Sequence, residues 1–517
     1  MNMDVPFAPV VVTAAQMQAI EARIFSHGMP VAALMEKVAQ RITQRIQQRY
    51  PLPQFPRAAI LVGPGHNGGD ALVVARELHH RGYQVQMHQP VSTLKPLTAD
   101  HARYAQHLGL SFCQNSQDWL AADFIVDGLF GFGLTRPVSG ALADLVAVIN
   151  QSSVPVVSID LPSGLHTDSG AVLGTAIAAR HSYCLGLWKR AFFQTAALPY
   201  LGQAELIPFD IPALDQAAIL SQSAPIQLIT PSLVRQLLPW DRPPAAHKYQ
   251  VGSLLLICGS QQYPGAALLC ARSAQASGVG MLYVAVPQSL RLWVVSQIPE
   301  AVVIACPETD TGAIAALPSD IHWERIDAIA LGPGLGDSPI VPALLAVDKP
   351  LVLDADALNQ LAQMPVEATL QARSSPTLLT PHGGEFKRLF PREAERNGDL
   401  MNCVRDLASQ LHVVLVLKGA KTFIAGPDGC LWINPESTPA LARGGSGDVL
   451  TGLMGGLLAQ HPQPAASSGW ITQLAATAVW WHAQAGCFAA QRYSQLSVSP
   501  SLLVDTLKDS LAHLRLA

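Results

Sequence analysis

Charge is scarce in this chain. Only 14% of its 517 residues are Asp, Glu, Lys or Arg, against 49% hydrophobic, and the net charge is -4. So little charge suits large, well-buried α/β domains, and the acidic balance excludes a general nucleic-acid binder, which shows a basic stripe. Cysteine pairs are lacking too. The eight cysteines (Cys113, Cys184, Cys258, Cys270, Cys306, Cys403, Cys430, Cys487) stand singly with no C-x-x-C, a pattern of reduced thiols rather than a zinc or disulfide framework. No apolar run reaches about 18 residues, so a spanning helix is not expected. The opening MNMDVPFAPVVVTAAQMQAIEAR has no basic n-region and makes a poor signal peptide. The expectation is a soluble, cytoplasmic protein of two or three domains, because 517 residues exceed one ordinary core.

What is present is a rhythm of short apolar runs alternating with helix-period segments, the mark of parallel α/β units. Residues 58–63, 83–87, 124–130 and 154–160 read as strands in the first half, with helices over 71–82, 98–109 and 140–151. The text at 208–226, PFDIPALDQAAILSQSAPI, reads as a last strand and a linker, because Pro and small polar residues break any period. Strands resume at 252–260, 281–287, 326–332, 350–356 and 413–419, and an Ala-rich helical region closes the chain. The expected domains are residues 1–222 and 227–517.

Gly63, Gly65 and Gly68 match G-x-G-x-x-G between a strand and a helix. A hydride-transfer domain needs an acidic residue about 20 positions on to hold the ribose hydroxyls. That region, QVQMHQP, has His88 and no carboxylate, which argues against a hydride-transfer dehydrogenase. The glycines still let backbone N–H groups reach a pyrophosphate. Polar residues follow at His66, Asn67, Gly68, Gly69 and Asp70, and two further polar clusters end later strands: Asp127 in DGLFGFGLTRP and Asp160 with Ser163 in DLPSG. Strand C-terminal ends converge on the ligand crevice of an open α/β sheet. Asp70 and Asp160 taken singly are equally compatible with turn and helix caps.

The strings GPGHNGGDALVVARELHHRGYQV, DGLFGFGLTRPVSG and IDLPSGLHTDSG resemble the NAD(P)H-hydrate epimerase family over nearly the whole first half. The resemblance implies that the first loop and Gly131, Phe132, Gly133, Leu134, Thr135, Arg136 and Pro137 hold a hydrated nicotinamide cofactor. It also implies that Asp160 contacts substrate as a catalytic residue, and that Asn67, Asp127 and Ser163 ligate potassium, a hard cation suited to oxygen donors. His66 stands where that family usually has Asn, and His166 where an acidic residue is common.

The second half carries Arg443-Gly444-Gly445-Ser446-Gly447-Asp448 ahead of VLTGLMGGLLAQ. A helix starting there presents free N–H groups and a positive dipole end to an anion, and Asp448 can take a proton from an attacking hydroxyl. Phosphoryl transfer needs little more than positioning, charge stabilisation and one base; a plain Asp-capped helix start is the alternative. Asp354 and Asp356 read as strand-end acceptors, with a magnesium-linked pair as the alternative. Trp480, Trp481, His482 and Gly486 read as packing.

Together with LGPGLGD, VLDADALN, LTPHGGEF and LVLKGAKTFIA, that motif resembles the ADP- or ATP-dependent NAD(P)H-hydrate dehydratases, built on the ribokinase plan. The resemblance covers residues from about 230 onward. It implies that Lys418, Gly419, Ala420, Lys421, Thr422 and Gly447 bind the nucleotide, while Ala266, Gly334, His382 and Asp448 face the hydrated cofactor with Asp448 as base. PESTPALARGGSGD departs from the family's usual Gly-Asn and Met-Ala-Thr.

The resulting expectation is an α/β protein with an N-terminal Rossmann-like three-layer domain and a C-terminal ribokinase-like α/β domain. Its two domains would epimerise NADHX and NADPHX and dehydrate the S epimer, with potassium, magnesium and ADP (or ATP) as co-factors and co-substrate. The family also implies a homo-oligomer. A ribokinase-type small-molecule kinase, and a nucleotide-sensing binding protein without turnover, are the alternatives.

Overall fold

Six parallel strands build the sheet of the first unit; the central ones, Phe124–Gly128 and Val156–Ile159, are buried on both faces, as parallel strands flanked by helices must be, while the edge strands Gln84–His88 and Gln203–Ile207 expose residues to solvent. In the computed structural model, residues 10–113, 119–222, 224–395, 399–461, 468–512 and 514 are described. They fall into two compact units, Met1–Pro225 and Ile226–Ala517.

The strands of the first unit lie in the order Gln84–His88, Arg57–Val62, Phe124–Gly128, Val156–Ile159, His181–Leu185, Gln203–Ile207, every neighbour parallel. Alternation along Arg57–Val62 divides its side chains between two cores. Ala58, Ile60 and Val62 pack with helices Ala14–Ser26, Val31–Arg49 and His66–His80, whereas Ala59 and Leu61 pack with helix Ala141–Gln151. This is the three-layer α/β arrangement. Strand order reverses between Arg57–Val62 and Phe124–Gly128, so the loops after these two strands flank a topological switch point, where α/β sheets bind ligands.

Two expectations need correction. The helix over 71–82 starts earlier, at His66, and takes Gly68 and Gly69 into its first turns. Glycine is a poor helix former, but packing overrides propensity here: a Cβ on Gly68 would lie 2.0 Å from the Gly63 carbonyl oxygen, and one on Gly69 would lie 2.7 Å from Met35 Cε. The supposed linker at 208–226 contains helix Ala213–Leu220, packed on Ala14–Ser26 and tied by Arg23 to Asp215 at 3.2 Å. The last strand, Gln203–Ile207, ends before Pro208, which has no N–H for the ladder.

The second unit has ten strands in one sheet, in the order Val302–Cys306, Met281–Pro287, Ser253–Ile257, Ala328–Leu331, Leu351–Leu353, Thr377–Leu379, Val414–Leu417, Phe423–Ala425, Leu431–Ile433, Ile226–Leu228. The first seven are parallel; Phe423–Ala425 pairs antiparallel with both its neighbours. The reversal falls at Ser253–Ile257 and Ala328–Leu331. Helix Ser446–Ala459, buried along almost its whole length, crosses Pro264–Ala276 at close range, since a Cβ on Gly452 would meet the Cys270 carbonyl oxygen at 2.0 Å. Trp480 and Trp481 are core residues of helix Ser468–Tyr493, each 4% exposed.

Candidate active sites

Each unit gathers its polar strand-end residues at its switch point. In the first unit the loops after Arg57–Val62 and Phe124–Gly128 touch so closely that a Cβ on Gly63 would sit 1.7 Å from the Leu129 carbonyl oxygen. Beside them opens a cavity of about 900 Å³. Its walls include His66, Asn67, Asp70, Asp160, Lys95, Lys189 and the run from Leu129 to Arg136. Of the residues expected at this site, Gly68, Gly69 and Pro137 do not line it; Gly68 and Gly69 are packing surfaces of their helix.

Asp160 is the hub. It ends strand Val156–Ile159 in a left-handed backbone conformation, φ 66°, rare for a residue with a side chain. Its Oδ1 accepts from Lys189 Nζ at 2.7 Å, and its Oδ2 accepts from Phe132 N–H at 2.9 Å. A Cβ on Gly131 would lie 3.0 Å from Asp160 Oδ2 and 3.2 Å from Asn67 Oδ1, so only a glycine lets these two groups face the cavity together. Burial pulls the Lys189 ammonium down, but Asp160 beside it raises it above its ordinary value on balance. Burial pushes the Asp70 carboxyl well up, with Asp160 and Glu21 adding to the push. The cavity therefore sets the Asp160–Lys189 ion pair next to a carboxyl that burial makes harder to ionise.

Asp127 and Ser163 sit behind this wall. Asp127 Oδ1 accepts from Ser163 Oγ at 2.6 Å and Leu129 N–H at 3.2 Å; Oδ2 accepts from Ser163 N–H and Ser158 Oγ, both at 2.9 Å. Burial raises its carboxyl, and these four neutral donors only partly offset it.

In the second unit, Gly334 takes φ +65° and a Cβ there would lie 2.8 Å from the Cβ atoms of Ala266 and Tyr263. Two of the expected substrate-facing residues are thus in contact across the switch point. Asp354, ending the next strand, accepts from Lys418 Nζ and from Thr451 Oγ1, each at 2.6 Å. Gly447, on the first turn of Ser446–Ala459, faces that pair, with Lys418 Nζ and Asp354 Oδ2 each 3.5 Å from where its Cβ would be. The next residue, Asp448, has its carboxyl pushed up to about 6, first by burial, then by Asp354 against the pull of Lys418, with Asp356 adding. Asp356 also accepts from Gly336 N–H at 2.9 Å.

His382 caps helix Gly383–Leu389: its Nδ1 accepts from Gly384 N–H at 2.9 Å and Glu385 N–H at 3.4 Å. Its outer edge is exposed, and its backbone bridges that of Lys418. Gly419 and Ala420 are exposed at the tip of the hairpin after Val414–Leu417, while Lys421 reaches the Pro435 carbonyl and Thr422 Oγ1 donates to Gly419 O at 3.4 Å. Lys421 and Thr422 therefore brace the hairpin.

Sequence reasoning missed Lys189 and Glu21 in the first unit, and Tyr263, Thr451 and the role of His482 in the second. Lys189 stands beside Arg190 in LGLWKRAFF, and nothing in that run sets it apart from its neighbour. His482 is kept neutral by burial, its pKa down to about 4, and donates from Nε2 to the Ser446 carbonyl at 2.9 Å. It anchors the glycine turn from behind.

Residues 31–191 match the family model described as YjeF-related protein N-terminus, and residues 254–509 match the one described as NAD(P)H-hydrate dehydratase. A protein of Synechocystis named bifunctional NAD(P)H-hydrate repair enzyme Nnr is 52% identical over 509 residues, spanning 98% of this chain and 96% of its own. One of the same name from Thermosynechococcus vestitus is 52% identical over 508 residues, spanning 98% of both chains. Among solved structures, an ADP/ATP-dependent NAD(P)H-hydrate dehydratase from Bacillus subtilis, co-crystallised with ATP and Mg2+, is 32% identical with a TM-score of 0.46, covering 56% of this chain and 98% of that one.

Proposed function

The chain belongs to the bifunctional NAD(P)H-hydrate repair enzymes, and from that premise we propose which of its residues carry each of the two activities. The first unit interconverts the R and S epimers of hydrated NAD(P)H in the cavity around Asp160. The second dehydrates the S epimer beside Asp448, using a nucleotide phosphoryl donor. The observation that carries this division is that each unit has its own acid–base group at its own switch point: Asp160 with Lys189, and Asp448 with Asp354 and Lys418.

In the second unit, Ala266 and Gly334 hold the hydrated ring, with His382 at the exposed edge. Lys418 to Thr422 and Gly447 take the donor, with ADP the favoured nucleotide. Asp448 removes the proton of the ring hydroxyl as that oxygen takes the phosphoryl group, and the N–H groups at the start of Ser446–Ala459 receive the phosphate charge. Loss of phosphate then restores the ring double bond, and ADP leaves as AMP. Magnesium fits on charge: Asp354 and Asp356 raise Asp448 with only Lys418 opposing them, and Mg2+ is commonly held by one or two carboxylates together with the substrate's phosphates. It would neutralise the transferring group.

In the first unit, His66, Asn67, Asp70 and the run Gly131–Arg136 line the substrate cavity. Potassium fits behind them. Asp127 is a buried carboxylate whose hydrogen-bond donors are all neutral, and the Asn67 side-chain nitrogen is buried without a partner. Turning that amide over would offer its oxygen to a cation, joining Asp127 and Ser163. The ion would supply positive charge that orders the 129–137 loop. The reading also includes a cytoplasmic location and a homo-oligomer; no helix among the described residues is long and apolar enough to cross a membrane.

Separated epimers test the division. With ADP, the wild type should return NADH from both, Asp160→Asn from the S epimer alone, and Asp448→Asn from neither. Recovery from the R epimer by Asp160→Asn at the wild-type rate would refute the assignment of the first unit.

A further inference from the structure

Helix Ala14–Ser26 turns two faces to two different environments. Met17, Ile20 and Ile24 are buried in the core, while Ala14, Gln18, Glu21, Ala22 and Phe25 line the cavity of the first unit. These positions follow the spacing of one helical face. Glu21 is its one acidic residue. It makes no hydrogen bond or ion pair with any described residue, although Lys189 and Asp160 are close enough to act on it electrostatically. A carboxyl left without a partner and turned toward a ligand cavity has a use outside the fold.

We propose that Glu21 is a second acid–base group of the epimerisation, sharing the cavity with Asp160 and serving the other face of the ring; this rests on the reading of the first unit given above. Water added to a dihydropyridine leaves its hydroxyl on the carbon bonded to the ring nitrogen. When that C–O bond breaks, its electron pair goes to oxygen, the nitrogen lone pair forms a C=N bond, and the Glu21 proton turns the leaving hydroxyl into water. A water then adds to the opposite face: its oxygen forms the new C–O bond, the C=N pair returns to nitrogen, and its proton passes to Asp160. Solvent returns that proton from Asp160 to Glu21, so one water leaves, one enters and the proton count closes. Inversion at one carbon needs a group on each face, which Asp160 alone cannot supply.

Burial pushes the Glu21 carboxyl up to about 7, against the pull of Lys189 and with a smaller push from Asp160. That is the range in which a general acid works best near neutral pH. The other charged or titratable groups on the cavity are His66, Asp70, Lys95 and Arg136. Asp215, on the helix packed against Ala14–Ser26, is engaged by Arg23. Both directions of reaction require one proton on the Glu21–Asp160 pair, so kcat/KM each way falls as pH rises through about 7.

The test is the rate of interconversion of separated epimers between about pH 5.5 and 9, for the wild type, Glu21→Gln and Glu21→Asp. Glu21→Gln should lose about a hundredfold or more in kcat with little change in KM, and its alkaline limb should vanish. Glu21→Asp should recover part of the rate with the limb shifted. A rate near that of the wild type, or a slow Glu21→Gln that keeps the limb, would overturn the role. Should Glu21→Gln not fold, an unshifted limb in Glu21→Asp would overturn it as well. A wild type that does not epimerise at all would instead sink the underlying assignment of the cavity, and this inference with it.

Discussion

Lys189 Nζ lies 2.7 Å from Asp160 Oδ1, and the two side chains are 1% and 5% exposed. Both side chains are almost wholly buried and meet only the cavity, so each charge depends on the other. Removing one partner of a buried pair leaves an uncompensated charge and costs about 3–5 kcal/mol. Lys189→Met should therefore lower the melting temperature of the first unit sharply. It should also abolish epimerisation while dehydration of the S epimer continues in molecules that stay folded. An unchanged melt would mean that the pair is not what fixes Asp160.

Asp448 predicts the pH profile of the other half-reaction. Its carboxyl, raised to about 6, must be ionised to act as a base. Dehydration kcat/KM should fall as pH drops through about 6, and Asp448→Asn should be inactive at every pH. Steady-state assays on the S epimer with ADP check both.

The same shift has a stability consequence. The native state holds the Asp448 proton more tightly than the unfolded chain, so stability falls as pH rises from the ordinary carboxyl range to about 6. Asp448→Asn removes that penalty. It should unfold about 1–3 kcal/mol less readily than the wild type at pH 7, with the gap closing near pH 4, as read from denaturant titrations.

Gly334 meets two constraints at once, a positive φ and the nearness of Ala266 and Tyr263. Gly334→Ala places a Cβ in the left-handed region at about 1–2 kcal/mol and pushes on both neighbours. The KM for the hydrated cofactor in dehydration should rise several-fold, while epimerisation is untouched.

Potassium separates the two activities. Exchanging it for a bulky organic cation should slow epimerisation and leave dehydration of the S epimer unchanged. Asp127→Asn should copy that effect in the presence of potassium. Equal loss of both activities would contradict a potassium site at Asp127.

Much of this architecture is legible in the residues themselves. Strand-length apolar runs ending in Asp127, Asp160 and Asp354 mark the C-terminal edges of two parallel sheets, and the glycine strings mark where backbone approaches backbone. Local pattern misled where packing outweighed propensity. The glycines at 68 and 69 read as loop, yet they are helical because the neighbouring strand and Met35 leave no room for side chains. Helix Ala213–Leu220 read as linker because its contacts lie about two hundred residues away, on Ala14–Ser26. Lys189 and Glu21 escaped for the same reason: nothing adjacent in sequence marks them, and only the folded chain brings them to Asp160.

The most direct measurement is the absorbance of the reduced nicotinamide regained from a mixture of both NADHX epimers, with ADP, with ATP and with neither. Complete recovery with a donor, and none without, is the predicted result, because the first unit must feed the second. Recovery that halts at the S fraction would remove the epimerase from the account. No recovery with either donor would contradict it outright, and would return the second unit to the small-molecule kinases.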